Sequence, residues 1–219
     1  MKEHNGRVAV EQAMGRPTIL ARVGGRVVLM ALAQGLTLDR HQAVHLPMAL
    51  NAHAELLGWP FRCDLSLTFA KSELNALCEL WRDKANGHGL PSRAALDMRA
   101  LKPFVRNISI LERIGPKGLW RYRFRLFGSS LAQLFGEHTG RYLDEMAVPE
   151  SLENWLACFD TTIRFGGPLR FINYYQIPSQ EFLKGEIFAA PLAAETENQP
   201  LVLIATYVGL QDAAHSPVD

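Results

Sequence analysis

Five residues near the middle of the chain, Gly128-Ser129-Ser130-Leu131-Ala132, almost spell the G-x-S-x-G turn that exposes a nucleophilic serine between a strand and a helix. Such a serine needs a general base and an orienting acid, held in place by a parallel sheet. Only His138 and His215 follow Ser130, the first close by and the second in a polar tail. The same residues have a plainer use. Ser130 with Gln133 forms a capping box, in which the two side chains satisfy free backbone N–H groups at a helix start, and Gly136 then ends the turn. Capping is the expected role of Ser130, and no catalytic residue is assigned.

Two further stretches imitate known chemistry. His41-Gln42-Ala43-Val44-His45 has the spacing of a zinc-protease helix, but Gln42 stands where the general-base glutamate belongs. Gly87-His88-Gly89-Leu90-Pro91-Ser92 starts like a dinucleotide fingerprint, yet it follows a helical pattern and has Pro91 where a helix should begin. Cys63, Cys78 and Cys158 are scattered, with no C-x-x-C pair, so neither a disulfide framework nor a thiolate metal site is expected. No metal ligands are assigned.

The elements that would position any site become clear after Phe69. Leu74, Leu77, Cys78 and Trp81 recur at helical spacing, which predicts a helix over 69–86 closed by Asn86-Gly87. Residues 104–114 read as a strand and Gly115-Pro116-Lys117-Gly118 as a turn. In 119–127, Trp120, Tyr122, Phe124 and Leu126 alternate with Arg121, Arg123 and Arg125, the pattern of a half-buried antiparallel strand. A long helix over 150–165 carries Leu152, Trp155, Leu156, Phe159 and Ile163 on one face and stops at Gly166-Gly167-Pro168. Strands are predicted over 169–177, 182–192 and 201–210, with Pro191 at a strand edge or end.

Before Phe69 the pattern is looser. Glycines and prolines punctuate it, and short helices are expected only around 27–34 and 47–57. Residues 1–68 therefore read as a loosely structured or disordered extension, 69–210 as the domain and 211–219 as a frayed tail. A polypeptide over about 68–210 is expected to fold alone. Block-wise strands and helices give an α+β class.

Composition excludes several partners. The 219 residues carry a formal net charge of +1, so nothing global draws the chain to nucleic acid or an anionic membrane. The longest apolar run, 17–38, is broken by Arg22 and Arg26 and is not a membrane span. Ala31-Leu32-Ala33 resembles a signal-peptide cleavage site, but acidic Glu3 and Glu11 in a poorly basic lead argue against one. A cytoplasmic protein is expected.

The order of elements, together with YRFRLFGSSLAQLFGEHTGRYLDEM, resembles the PAS-domain superfamily, in a small single-domain proteobacterial branch. The residues that carry the likeness are Leu90-Pro91-Ser92-Arg93, Arg121-Tyr122-Arg123, Gly128-Ser129, Leu131, Phe135-Gly136 and Thr139-Gly140-Arg141 with Leu143. PLAAETENQPLVLIATYVGL is similar to the last hairpin of that branch. The resemblance covers about 69–210. It implies a curved five-stranded antiparallel sheet with short helices, one long helix, an N-terminal flanking helix and a small interior cavity.

The resemblance further implies a sensory or regulatory module for signal transduction, one that binds a small ligand, a separate signalling protein, or both. Homodimerisation is compatible with it, and no output domain is recognised in the chain. The cavity residues expected are Tyr122, Phe124, Leu131, Phe135, Trp155, Phe159, Tyr175 and Tyr207. An interaction surface is expected at Arg121, Arg123 and Arg125, with Leu77 and Trp81 of the flanking helix. The cofactor is left unassigned. A photoactive flavin is not expected, because 136–143 holds no cysteine, and haem is not expected, because 150–165 holds no histidine. The competing reading is a small α+β cavity enzyme acting on a small apolar metabolite. It would need a polar cluster in the cavity, such as His138 with Asp144 or Asp160.

Overall fold

A computed structural model describes residues 19–23, 26–30, 45–85, 89–116, 119–147, 149–176, 182–195 and 199–210. The fold is α+β, as expected. Strands β1 (Ile19–Val23) and β2 (Arg26–Met30) form an antiparallel hairpin, with Ile19 opposite Met30. A helix was expected around 27–34; the β-branched pair Val27-Val28 favours the strand instead. The hairpin falls in a compact unit separate from the sheet domain. The His41–Val44 part of the zinc-like motif, Asn86-Gly87 and the 211–219 tail lie outside the described residues.

The sheet domain runs α1 (His45–Leu57), β3 (Phe61–Asp64), α2 (Ser72–Ala85), α3 (Met98–Leu101), β4 (Ile108–Ile114), β5 (Arg121–Phe127), α4 (Ser129–Phe135), α5 (Pro149–Phe165), β6 (Leu169–Gln176), β7 (Phe182–Leu192) and β8 (Leu201–Leu210). A short 3-10 turn, Leu143–Glu145, precedes α5. The strands form one antiparallel sheet in the order β3-β6-β7-β8-β4-β5.

That is six strands where five were expected, and the sixth is β3. It pairs with β6 from Phe61 opposite Asn173 to Asp64 opposite Arg170. Its outer edge is covered by a side chain. Asn51 of α1 donates from Nδ2 to the Cys63 carbonyl and accepts the Cys63 N–H at Oδ1, both at 2.8 Å. One amide thus replaces a seventh strand at an edge that would otherwise invite pairing. Gly58, at φ +65°, lets α1 reverse into β3, a conformation that glycine adopts without penalty. Leu50, Ala54 and Cys63 are buried, and Leu50 and Cys63 join the core beneath α5. The boundary expected at residue 69 therefore falls inside a compact unit that also holds α1 and β3.

Both faces of the sheet are covered. On one, α5 packs over Leu111, Phe171, Ile187, Ala189, Val202 and Ile204, and α1 packs along α5. On the other, Leu74, Leu77, Cys78 and Trp81 of α2 lie against Ile108, Ile110, Phe188, Ala190, Leu203 and Ala205. The Trp81 indole N–H donates to the Pro191 carbonyl at 2.9 Å. Pro191 sits near the end of β7, beyond the Leu169–Ala189 pair where β6 begins. Strand β4 starts at Ile108 and not at 104, because Asp97 caps α3 and successive turns carry the chain to Asn107.

Glu186, a buried carboxylate of β7, ties the helical face to the sheet. It accepts the N–H groups of Ala70 and Lys71 at 3.0 and 3.1 Å, just ahead of α2, and the Arg170 Nε at 2.8 Å. Arg170 also reaches Asp64 of β3 at 2.5 Å. A buried charge needs such a complete set of partners. Among the described residues, no helix is long and apolar enough to cross a membrane.

Removing residues 1–67 should strip α1 and β3 from the sheet. The loss of Leu50, Ala54 and Cys63 burial should lower unfolding stability by about 3 kcal/mol or more. Urea titrations of the full chain and of the shortened chain measure this directly. Equal midpoints would mean that α1 and β3 add nothing to the core.

Candidate functional site

A cavity of about 370 Å³ lies between α5 and the sheet. That volume is within the range of small-molecule sites. Its roof is a single helical arc of α5, Ser151, Asn154, Trp155, Cys158 and Phe159. The spacing of three, four, seven and eight residues places all five on one face. The floor alternates along the strands: Phe171 and Asn173 of β6, Ile187 of β7, Ile204 and Thr206 of β8, Ser109 of β4, and Phe124 with Phe127 of β5. Leu131 and Phe135 of α4 with Leu143, Met146 and Ala147 close one side, and Pro60, Phe61 and Tyr174 another. Pro60, Phe135 and Tyr174 are the exposed members of this lining.

Four buried polar residues interrupt the apolar wall: Ser109, Asn154, Asn173 and Thr206. The Oδ1 atoms of Asn154 and Asn173 are buried and accept no hydrogen bond from the protein. A buried amide oxygen without a donor costs free energy on the order of 1–3 kcal/mol. Both residues line the cavity, Asn154 on the roof helix and Asn173 on the floor.

Of the residues expected at the cavity, Phe124, Leu131, Phe135, Trp155 and Phe159 line it. Tyr122 does not. It is buried beside Phe159, and its hydroxyl donates to Asp160 at 2.5 Å, which turns it to the α5 flank. Tyr207 does not either. Its neighbour Thr206 faces the cavity, so the strand alternation sends Tyr207 to the α2 face. The Tyr175 side chain lies outside the described residues. The two asparagines went unnoticed in the sequence, although each is a polar residue in a buried pattern.

The expected interaction surface is mostly occupied from within. Leu77 and Trp81 are buried against the sheet. They are core residues because β7 and β8 present apolar side chains on both faces. Tyr122 and Phe124 are the inward residues of β5 and the arginines the outward ones, as the alternation requires. Arg123 and Arg125 pair with the buried Glu112 carboxylate. Arg121 pairs with Asp144 and lies over the Tyr142 ring at 3.7 Å. His138, Asp144 and Asp160 do not converge. His138 packs against Phe127 and meets the Phe135 carbonyl at 2.8 Å, Asp160 holds Tyr122 and Arg113, and none of the three lines the cavity.

Ser130 is not a cap. Gly128 is the N-cap of α4, and no side-chain hydrogen bond is made there. Instead the Ser130 N–H donates to the Arg106 carbonyl at 2.8 Å, which draws the helix start against the 105–106 backbone. A β-carbon on Gly128 would sit 2.6 Å from the Arg106 carbonyl carbon and 2.7 Å from the Val105 oxygen, so only glycine fits. Thr139-Gly140-Arg141 also has a structural use. The Gly140 N–H donates to the Phe124 carbonyl at 2.7 Å and the Phe124 N–H to the Arg141 carbonyl at 2.9 Å, which covers the β5 edge and frames the cavity.

Burial pushes the Cys63 thiol up to about 12, with the Asp64 charge a smaller cause. Burial likewise pushes the Cys158 thiol well up, with Cys63 contributing. Tyr122 is raised by burial first and by Asp160 second. All three therefore stay protonated in the folded state at neutral pH.

Among the comparisons with known proteins, a family model described as PAS domain matches residues 69–205. No curated protein matches the chain significantly.

Two outcomes are expected from this geometry. Gly128→Ala should destabilise the protein by about 1–3 kcal/mol through overpacking, read from urea midpoints; an unchanged midpoint would mean that the 105–106 backbone yields freely. The second concerns pH. The unfolded chain releases its thiol protons near the ordinary value of 9.0 and the folded chain holds the Cys63 proton to about 12. The thiol contribution to stability is thus whole below 9 and is lost as pH rises through 12, with Tyr122 acting in the same direction. Urea midpoints should fall between about pH 8 and about pH 10.5. A midpoint that rises over that range would mean that these groups are not sealed in the core.

Proposed function

The chain belongs to the PAS-domain family, and from that premise we propose that it is a sensory or regulatory module whose signal is a small molecule held between α5 and the sheet. The observation that carries this reading is the cavity itself: about 370 Å³, walled by aromatic and aliphatic side chains, with two lining asparagines whose buried amide oxygens have no partner. An apolar chamber with a few converging polar groups is the usual form of a small-molecule site.

The fold offers a route from the cavity to its opposite face. Asn173 and Ile187 belong to the cavity floor. On the same strands, Arg170 and Glu186 hold the chain entering α2. A ligand that shifts β6 against β7 changes the seat of that segment, and a partner protein that senses α2 or its N-terminal approach reads the difference. The driving energy is the ligand's preference for one of two arrangements.

Native mass spectrometry of the full chain, purified under non-denaturing conditions from cell extract, tests the reading. The expected result is a small-molecule mass that is lost on denaturation and absent from Ala147→Trp, whose indole fills the cavity wall. Bare polypeptide in both proteins, together with no rise in melting temperature on adding the small-molecule fraction of the extract, would contradict it.

A further inference from the structure

Resting on that reading of the cavity as a ligand site, we propose that its ligand is an uncharged molecule with an apolar body and a polar group that hydrogen-bonds the side-chain amides of Asn154 and Asn173 from opposite walls. Three observations support the assignment. First, among the described residues no Asp, Glu, Lys, Arg or His side chain lines the cavity. An ionic ligand would leave water for a wall with no countercharge, a transfer that costs far more than hydrogen bonding to amides returns.

Second, the apolar part of the wall is aromatic-rich. Trp155 lies tilted beside Phe159 with ring centroids 5.7 Å apart, and Phe124 meets Phe127 edge to face at 5.0 Å. Flat apolar surfaces of this kind accept a ring or a compact hydrocarbon. Third, the Oδ1 atoms of Asn154 and Asn173 are buried and unpartnered, on residues only 8% and 9% exposed. Neither Oδ1 has a hydrogen-bond partner among the described residues. A leucine would bury apolar surface without an unmet acceptor. A ligand that brings its own hydrogen-bonding group accounts for polar side chains at both places. Discrimination of this kind is strong, because a molecule without a hydrogen-bonding group leaves both amides unmet.

The proposal separates three probes with the same ring system, substituted at the same carbon: naphthamide, naphthoate and methylnaphthalene. Titration calorimetry on the full chain, backed by quenching of tryptophan fluorescence, gives each affinity. Naphthamide should bind about tenfold or more tighter than methylnaphthalene, the ratio one added hydrogen bond supplies, and naphthoate should bind most weakly. In Asn154→Leu and Asn173→Leu the preference for naphthamide should disappear while methylnaphthalene binding is kept or improved, and melting temperature should rise.

Equal binding of naphthamide and methylnaphthalene by the unaltered protein would overturn the proposal and leave the cavity a ligand site. So would tightest binding of naphthoate. If none of the three binds, the reading of the cavity as a ligand site falls as well. Variants that fail to fold would also contradict the proposal, since it holds that the two amides are dispensable to stability; the three affinities of the unaltered protein are read independently of them.

Discussion

The six-stranded sheet is apolar on both faces, and the rest of the structure follows from the need to cover them. Strands β7 and β8 lie at its centre, each paired on both sides, and Phe188, Ala190, Leu203 and Ala205 face one way while Ile187, Ala189, Val202 and Ile204 face the other. Neither set can be left in water; each buried side chain of this size is worth about 1.5–3 kcal/mol. The short amphipathic helix α2 satisfies one face by close packing. On the other face α5, α1 and α4 share the covering. Close packing there is incomplete, and the space left over is the cavity. The site is thus a consequence of how one face of a twisted sheet is roofed by one long helix and framed by shorter segments.

Buried charge holds the edges of this arrangement in register. Glu186 joins β7 to the start of α2 and to Arg170, which in turn reaches Asp64 on the edge strand β3. Glu112 does the same on the opposite flank, between Arg123 and Arg125. Each carboxylate is nearly inaccessible yet fully partnered, which is the condition under which a buried charge is tolerated. The polar residues of the cavity differ in this respect. Asn154 and Asn173 sit in the same kind of environment with acceptors unmet. The satisfied carboxylates build the fold, and the unmet amide oxygens mark where the proposed ligand would be held.

Much of the fold was legible because its signals are local. The alternation of Tyr122 and Phe124 with three arginines set the face of β5, and the stripe through Trp155 and Phe159 set the face of α5. What escaped was non-local. Strand β3 has four residues, too few for a periodic signal, and its partner β6 lies far along the chain. The arginine run read as an open surface because Glu112, Asp144 and Glu195 approach it only through the folded backbone. The Ser130 capping box matched a local pattern, but the close approach of Gly128 to the 105–106 backbone decided the helix start. The asparagines carried a usable signal. Asn154 interrupts the buried arc of α5 between Ser151 and Cys158, and Asn173 shares strand parity with Leu169 and Phe171. A polar residue at an inward position is the informative exception in a patterned element.

The most direct measurement is a two-dimensional NMR titration of the full chain with the small-molecule fraction of a cell extract, with backbone amides and asparagine side-chain NH2 groups assigned. Binding between α5 and the sheet predicts that the side-chain signals of Asn154 and Asn173 move together with the backbone signals of Trp155, Phe171 and Thr206. Shifts confined to the outer face of β5 or to α2, with the asparagine signals unmoved, would contradict a ligand in the cavity.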